Sequence, residues 1–100
     1  MTGTTASRPG AVPQLDDIRT WVLSRVAYYI ERTPAEIDPD AKLVGYGLDS
    51  VYALSLCGDI EDEYALVVDP TLAWDHPTVN AIATCLLDLL AARARAAETS

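Results

Sequence analysis

Gly47-Leu48-Asp49-Ser50, followed by Val51-Tyr52-Ala53-Leu54-Ser55-Leu56-Cys57-Gly58-Asp59-Ile60-Glu61-Asp62-Glu63-Tyr64, is the stretch whose reading decides the fold. A glycine turn leads into a serine, and the periodicity after it predicts one helix over 50–64 with an acidic far end. Ala53, Leu56, Cys57, Ile60 and Tyr64 share the face suited to a core. Val51, Leu54, Ser55, Gly58 and Asp62 fall on the other face, with Asp59 and Glu63 toward its flank. Val51 and Leu54 are thus expected as exposed apolar residues beside the serine, the pattern of a small contact patch. Gly58 lowers helix stability by about 1 kcal/mol relative to alanine, so a packing or docking reason is expected for it. Ser50 at the positive end of a helix suits a covalently attached phosphate, because free backbone N–H groups and the macrodipole favour negative charge there. The same position also suits a plain helix N-cap. A hydrolase nucleophile needs a base within reach and a G-x-S-x-G elbow on a sheet. Here Leu48-Asp49 precedes the serine, no sheet is predicted, and the sole histidine, His76, is remote in sequence.

Working outward, residues 1–13 read as a disordered leader of threonine, proline and glycine. A first helix starts near Leu15 with Asp16 and Asp17 in its first turn. Leu15, Ile18, Val22, Val26 and Tyr29 draw its buried stripe, widened by Trp21 and Ile30, and Pro34 ends it. Residues 33–48 form a long loop, with Ile37, Leu43, Tyr46 and Leu48 as its anchors on the core. A loop of that length in a compact domain implies a task, here the presentation of Ser50. Residues 65–70 are expected as an extended apolar linker, because no partner strand exists for them. Residues 71–75 are expected to form one helical turn capped by Thr71. Thr78 then caps a last helix whose stripe is Val79, Ile82, Ala83, Leu86, Leu87 and Leu90. Arg93 and Arg95 are placed to complement the dipole of that helix before the tail frays over 93–100. The expected fold is all-α: a small antiparallel bundle of three main helices plus one short helix, with its domain at 14–92.

One hundred residues, half of them hydrophobic, allow one globular domain with a modest core. No apolar run approaches the ~20 residues of a membrane span, and the N-terminal residues lack a secretory pattern, so a cytoplasmic protein is expected; a monomer is expected as well. The net charge of −8 is uneven: residues 43–92 contain no lysine or arginine but hold Asp49, Asp59, Glu61, Asp62, Glu63, Asp69, Asp75 and Asp88. Such a field repels nucleic acid and anionic lipid and steers basic protein surfaces toward the half that carries Ser50. Cys57 and Cys85 form no close pair and His76 stands alone, so no metal site is expected and both thiols read as buried and reduced. Trp21 and Trp74 read as core or rim residues rather than binding platforms.

Three segments together carry a family resemblance: Gly47-Leu48-Asp49-Ser50-Val51, Ile60-Glu61-Asp62-Glu63-Tyr64, and Trp74-Asp75-His76-Pro77-Thr78-Val79. In this order and spacing they resemble an acyl carrier protein of the polyketide synthase type over about residues 15–90. The resemblance implies a non-catalytic carrier whose Ser50 bears a phosphopantetheine arm derived from coenzyme A, with acyl or aryl intermediates held as thioesters. It implies that Asp49 supports modification by a phosphopantetheinyl transferase. It further implies service to an acyl-activating ligase, acyltransferase or ketosynthase of polyketide, antibiotic or related secondary-metabolite biosynthesis. Docking is expected on Val51 and Leu54, rimmed by Asp59, Asp62 and Glu63. Many such carriers have arginines along the serine-bearing helix, and 55–59 here has none. A peptidyl or aryl carrier serving an adenylating ligase is the alternative, and an unmodified acidic interaction module is a further one. The short flanks favour a stand-alone carrier over a fragment of a larger synthase.

Overall fold

The computed structural model describes residues 12–99. The expected leader therefore lies outside the described residues except for Val12 and Pro13, which are non-helical. Four helices follow: α1 (Leu15–Ile30), α2 (Ser50–Tyr64), α3 (Leu72–Asp75) and α4 (Val79–Thr99). Two 3-10 turns, Pro34–Glu36 and Leu43–Tyr46, punctuate the loop between α1 and α2. No strand occurs among the described residues. The described residues form an all-α bundle of three long helices and one short one, as the periodicity predicts.

α1 buries Ile18, Val22, Val26 and Ala27 and packs chiefly against α4, whose Val79, Ile82, Ala83, Leu86 and Leu90 face it across the core. α2 contributes Ala53, Leu56, Cys57 and Ile60. Each fully buried valine, leucine or isoleucine among these stabilises the fold by roughly 1.5–3 kcal/mol. Tyr64, expected in the core, is only half-buried and sets its ring edge against Trp21 at 5.1 Å between centroids.

The long loop is held from two sides. Ile37, Leu43 and Leu48 are buried and anchor the loop on the core, whereas its Val44 stays exposed. Hydrogen bonds then fasten the loop to the start of α4: Leu43 N–H donates to Pro77 O (2.8 Å) and Asn80 N–H to Pro39 O (3.0 Å). The Asn80 side chain donates to Asp40 Oδ1 (2.6 Å) and accepts from Arg19 Nε (2.6 Å), joining loop, α1 and α4 at one point. Within the loop, Asp38 N–H donates to Tyr46 Oη (3.0 Å).

Three local expectations are revised. Thr78 does cap α4, its Oγ1 accepting from Ala81 N–H (3.0 Å), but the Thr71 hydroxyl makes no such bond at α3. Thr71 already has helical dihedrals (φ −69°, ψ −6°), whereas a capping hydroxyl accepts from the N–H two or three residues ahead out of an extended residue. The tail expected to fray is helical through Thr99, because its alanine-rich composition favours helix without further support. Arg93 serves another helix than its own: it donates to Tyr64 O (2.8 Å) and Ala65 O (3.1 Å), capping the carbonyl end of α2, where a cation is favoured. That end needs the support, since Ala65 turns the chain with a left-handed φ of 55° that glycine would take more easily.

Candidate functional site

The turn before α2 requires Gly47. Its φ of 94° lies where side chains are strained, and it ends the Leu43–Tyr46 turn by donating to Val44 O (3.2 Å). Leu48 then points into the core, which fixes the direction from which the chain approaches α2. Asp49 is the N-cap: its extended backbone (φ −110°, ψ −176°) lets Oδ1 accept from Tyr52 N–H at 3.0 Å. Capping therefore falls to Asp49 and not to Ser50.

Ser50 is the first residue of the helix and is exposed, and its hydroxyl has no hydrogen bond to another described residue. The N–H groups of the first turn have no carbonyl partner within the helix, and Asp49 satisfies only that of Tyr52. Ser50 and Val51 thus offer free backbone donors and the positive end of the dipole to a group attached at Ser50 Oγ. A phosphate ester fits this geometry. One wall of an open cleft of about 230 Å3 is Ser50 itself, the others being Pro70, Thr71 and Trp74. His76 lines a different groove, with Thr78, Cys85 and Asp88, so no histidine shares the serine's cleft. No cluster of metal-ligating side chains occurs among the described residues.

Around the serine, Val51 and Leu54 are 67% and 59% exposed, and Val44 on the loop is equally open. Asp62 and Glu63 are exposed, and so is Glu61. Asp59 is different. Its Oδ2 accepts from Arg25 Nε (3.1 Å) and from the Tyr29 hydroxyl, and its side chain is only 25% exposed. Arg25 also lies over the rings of Tyr28 (4.9 Å) and Tyr29 (5.5 Å), while Tyr29 stacks on Tyr52 of α2 (5.9 Å). The Asp59 carboxylate is therefore committed to joining α1 and α2, which a helix-face pattern cannot reveal. Burial, followed by the hydrogen bond to Asp59, pushes the Tyr29 phenol up. The Arg25 guanidinium is raised by its hydrogen bond to Tyr29 and by Asp59, against the opposing effect of burial.

Both cysteines are free thiols. Burial raises Cys57 and Cys85, with Asp69 and Asp88 adding to the effect, and the protonated form of each is the less reactive one. Cys57 Sγ also donates to Asp69 O (3.4 Å).

Sequence reasoning missed four of these features: the Asn80 junction, the Arg25–Tyr29–Asp59 clamp, the exposure of Val44, and the shared cleft of Trp74 and Ser50. Only the last had a local signal, since Trp74 lies in the same short motif as His76-Pro77-Thr78.

Comparison with known proteins places this geometry. The profile of the phosphopantetheine attachment site family matches residues 20–86. A phenolphthiocerol/phthiocerol polyketide synthase of Mycobacterium tuberculosis is 35% identical over 77 residues, which is 77% of this chain and 4% of the synthase polypeptide. The chain thus corresponds to a small part of that curated relative. A free-standing peptidyl carrier protein from a secondary metabolic pathway of Acinetobacter baumannii is 43% identical with a TM-score of 0.75, covering 77% of this chain and 96% of that one. The acyl carrier protein LipD of Actinoplanes friuliensis is also 43% identical, with a TM-score of 0.68 and coverage of 88% and 97%. With the attachment-site profile matched across most of its folded length, the chain belongs to the phosphopantetheine-binding carrier family, whose members carry and do not catalyse.

Proposed function

We propose that Ser50 is the attachment residue and that the protein presents acyl or aryl intermediates to partner enzymes of polyketide or related secondary-metabolite biosynthesis. The observation that carries this reading is the exposed, unbonded Ser50 hydroxyl at the first position of α2, behind the Gly47–Asp49 turn. In the modification step, Ser50 Oγ gives up its proton and takes the phosphopantetheinyl group from coenzyme A, whose nucleotide leaves. A transferase catalyses the exchange. The group, once bound, supplies a thiol that holds cargo as a thioester. The chain's own residues do the rest. The α2 N-terminus supports the phosphate charge, Gly47 and Leu48 set the root of the arm, and tethering raises the effective concentration of cargo at a docked partner.

Val51 and Leu54 form the apolar centre of the docking face in this reading, with Asp62 and Glu63 as its charged rim. Charged rims act mainly on association rate, while apolar centres hold the complex. Asp59, included in that rim from sequence, is assigned instead to orienting α2 from within. Asp49 combines its cap with the support of modification that the family resemblance gives it. The partners are a phosphopantetheinyl transferase and then an acyl-activating ligase, acyltransferase or ketosynthase, met by a cytoplasmic monomer. Among the described residues no helix is long and apolar enough to cross a membrane.

Intact mass after incubation with coenzyme A and a broad-specificity transferase tests the assignment. Wild type gains the arm and Ser50→Ala does not; a gain in the variant overturns it. Reversing Asp62 and Glu63 to lysine slows modification, and an unchanged rate with no salt dependence removes the docking role. The likeness to a free-standing peptidyl carrier keeps a second reading in play, service to an adenylating ligase. Offering the pantetheinylated, unloaded protein to such a ligase with amino or aryl acids, and to an acyltransferase with acyl-coenzyme A, separates the two by the mass acquired.

A further inference from the structure

Trp74 is 51% exposed, although Leu72 and Ala73 of the same short helix are buried. Its indole has no aromatic, cationic or hydrogen-bonding partner among the described residues. The cleft it lines has Ser50 as another wall, and Pro70 and Thr71 complete it. A half-open indole beside an attachment serine is an apolar surface waiting for an intramolecular occupant.

We propose that Trp74 is the resting platform for the root of the phosphopantetheine arm, its indole packing against the geminal methyl groups of the pantoyl segment. The inference rests on attachment at Ser50 and adds a residue and a segment to it. The pantoyl quaternary carbon lies only a few bonds beyond the phosphate. With the phosphate at the N-terminus of α2, those methyls cannot leave the neighbourhood of the cleft, whereas the thiol end lies well outside it. Size agrees: sites for whole drug-sized ligands span roughly 300–1,000 Å3. The ≈ 230 Å3 here takes one segment of the arm. Electrostatics agree as well. The walls of the cleft, Ser50, Pro70, Thr71 and Trp74, include no lysine or arginine, so the cleft itself brings no cation to the arm. Apolar contact with the indole is then what orients the arm, laying its root toward α3 and leaving the thiol free to travel.

The test uses the pantetheinylated protein made with coenzyme A carrying 13C in the pantoyl methyls. The expected result is an upfield ring-current shift of those methyls relative to free coenzyme A, with nuclear Overhauser contacts to the Trp74 ring. Trp74→Leu abolishes both, and Trp74→Phe keeps a smaller shift. Methyls at their free-coenzyme positions in the wild type, or contacts from Trp74 to the thiol end of the arm instead of to the methyls, overturn the platform while the mass gain leaves attachment standing. If Trp74→Leu loses helicity, Trp74→Phe decides: methyl shifts identical to wild type overturn the proposal. No mass gain at all overturns both readings.

Discussion

Replacing Gly58 by alanine separates two reasons for a glycine in the middle of α2. The position is helical and exposed, and a Cβ built on it meets nothing within 4 Å. No packing contact is therefore gained or lost, and only backbone propensity remains. Alanine exceeds glycine in a helix interior by about 1 kcal/mol, part of it through the unfolded chain. Gly58→Ala should stabilise the domain by roughly 0.5–1 kcal/mol. For a domain of this size each kcal/mol raises Tm by about 4–8 °C. Differential scanning calorimetry reads the shift, and urea unfolding should show a higher midpoint at unchanged slope. A Tm equal to or below wild type, with helicity retained, would refute the propensity argument. Helical spacing sets Gly58 between Leu54 and Asp62 on the proposed docking face. A variant that gains stability while its modification rate falls would show that the glycine serves the close approach of a partner.

Gly47→Ala meets the opposite situation at φ 94° and should destabilise by about 1–2 kcal/mol in urea unfolding, with slower modification because Ser50 is displaced. A double-mutant cycle of Arg25→Ala with Asp59→Ala should give a coupling of about 0.5–1 kcal/mol, because the pair is partly open to water. Stability should decline in alkali. The raised Tyr29, Tyr64, Cys57 and Cys85 favour their protonated forms in the fold, so their contribution is complete below the ordinary thiol and phenol values of 9.0 and 10.0 and is lost as pH climbs through the raised ones. Urea midpoints across that interval check the sign. Ellman's reagent at neutral pH should label Cys85 before the buried Cys57, and both more slowly than a free thiol.

What the sequence disclosed depended on how far each residue's partner lies along the chain. The span of α2 and the burial of Ile37, Leu43 and Leu48 follow from local periodicity and from apolar residues having nowhere else to go. Capping at the serine was ambiguous by one position, since aspartate and serine cap equally well, and the extended dihedrals of Asp49 decide it. Asn80, Arg25 and Arg93 were opaque because their partners lie on other elements. Each is a polar side chain whose periodicity says only that it can face solvent. Trp74 sits on a helix of four residues, too short for any period to assign it a face. For Ser50 and the acids proposed around it, the pattern supplied the location, and the tertiary contacts supplied the partners of Asp59, Arg25 and Tyr29.

The fastening of the long loop to Pro77 and Asn80 bears on the order in which the molecule comes into being. A ribosome delivers Ser50 well before it delivers the first turn of α4, and until that turn arrives Leu43 and Pro39 have no hydrogen-bonding partners there. A nascent chain halted before Pro77 would display the serine on an unfinished stage. A transferase that reads the finished shape rather than the Gly47–Ser50 string would pass such a chain by, so modification would certify that synthesis had run through α4. Timing the mass gain on chains truncated before and after α4 would expose this ordering, and equal rates on both would dismiss it.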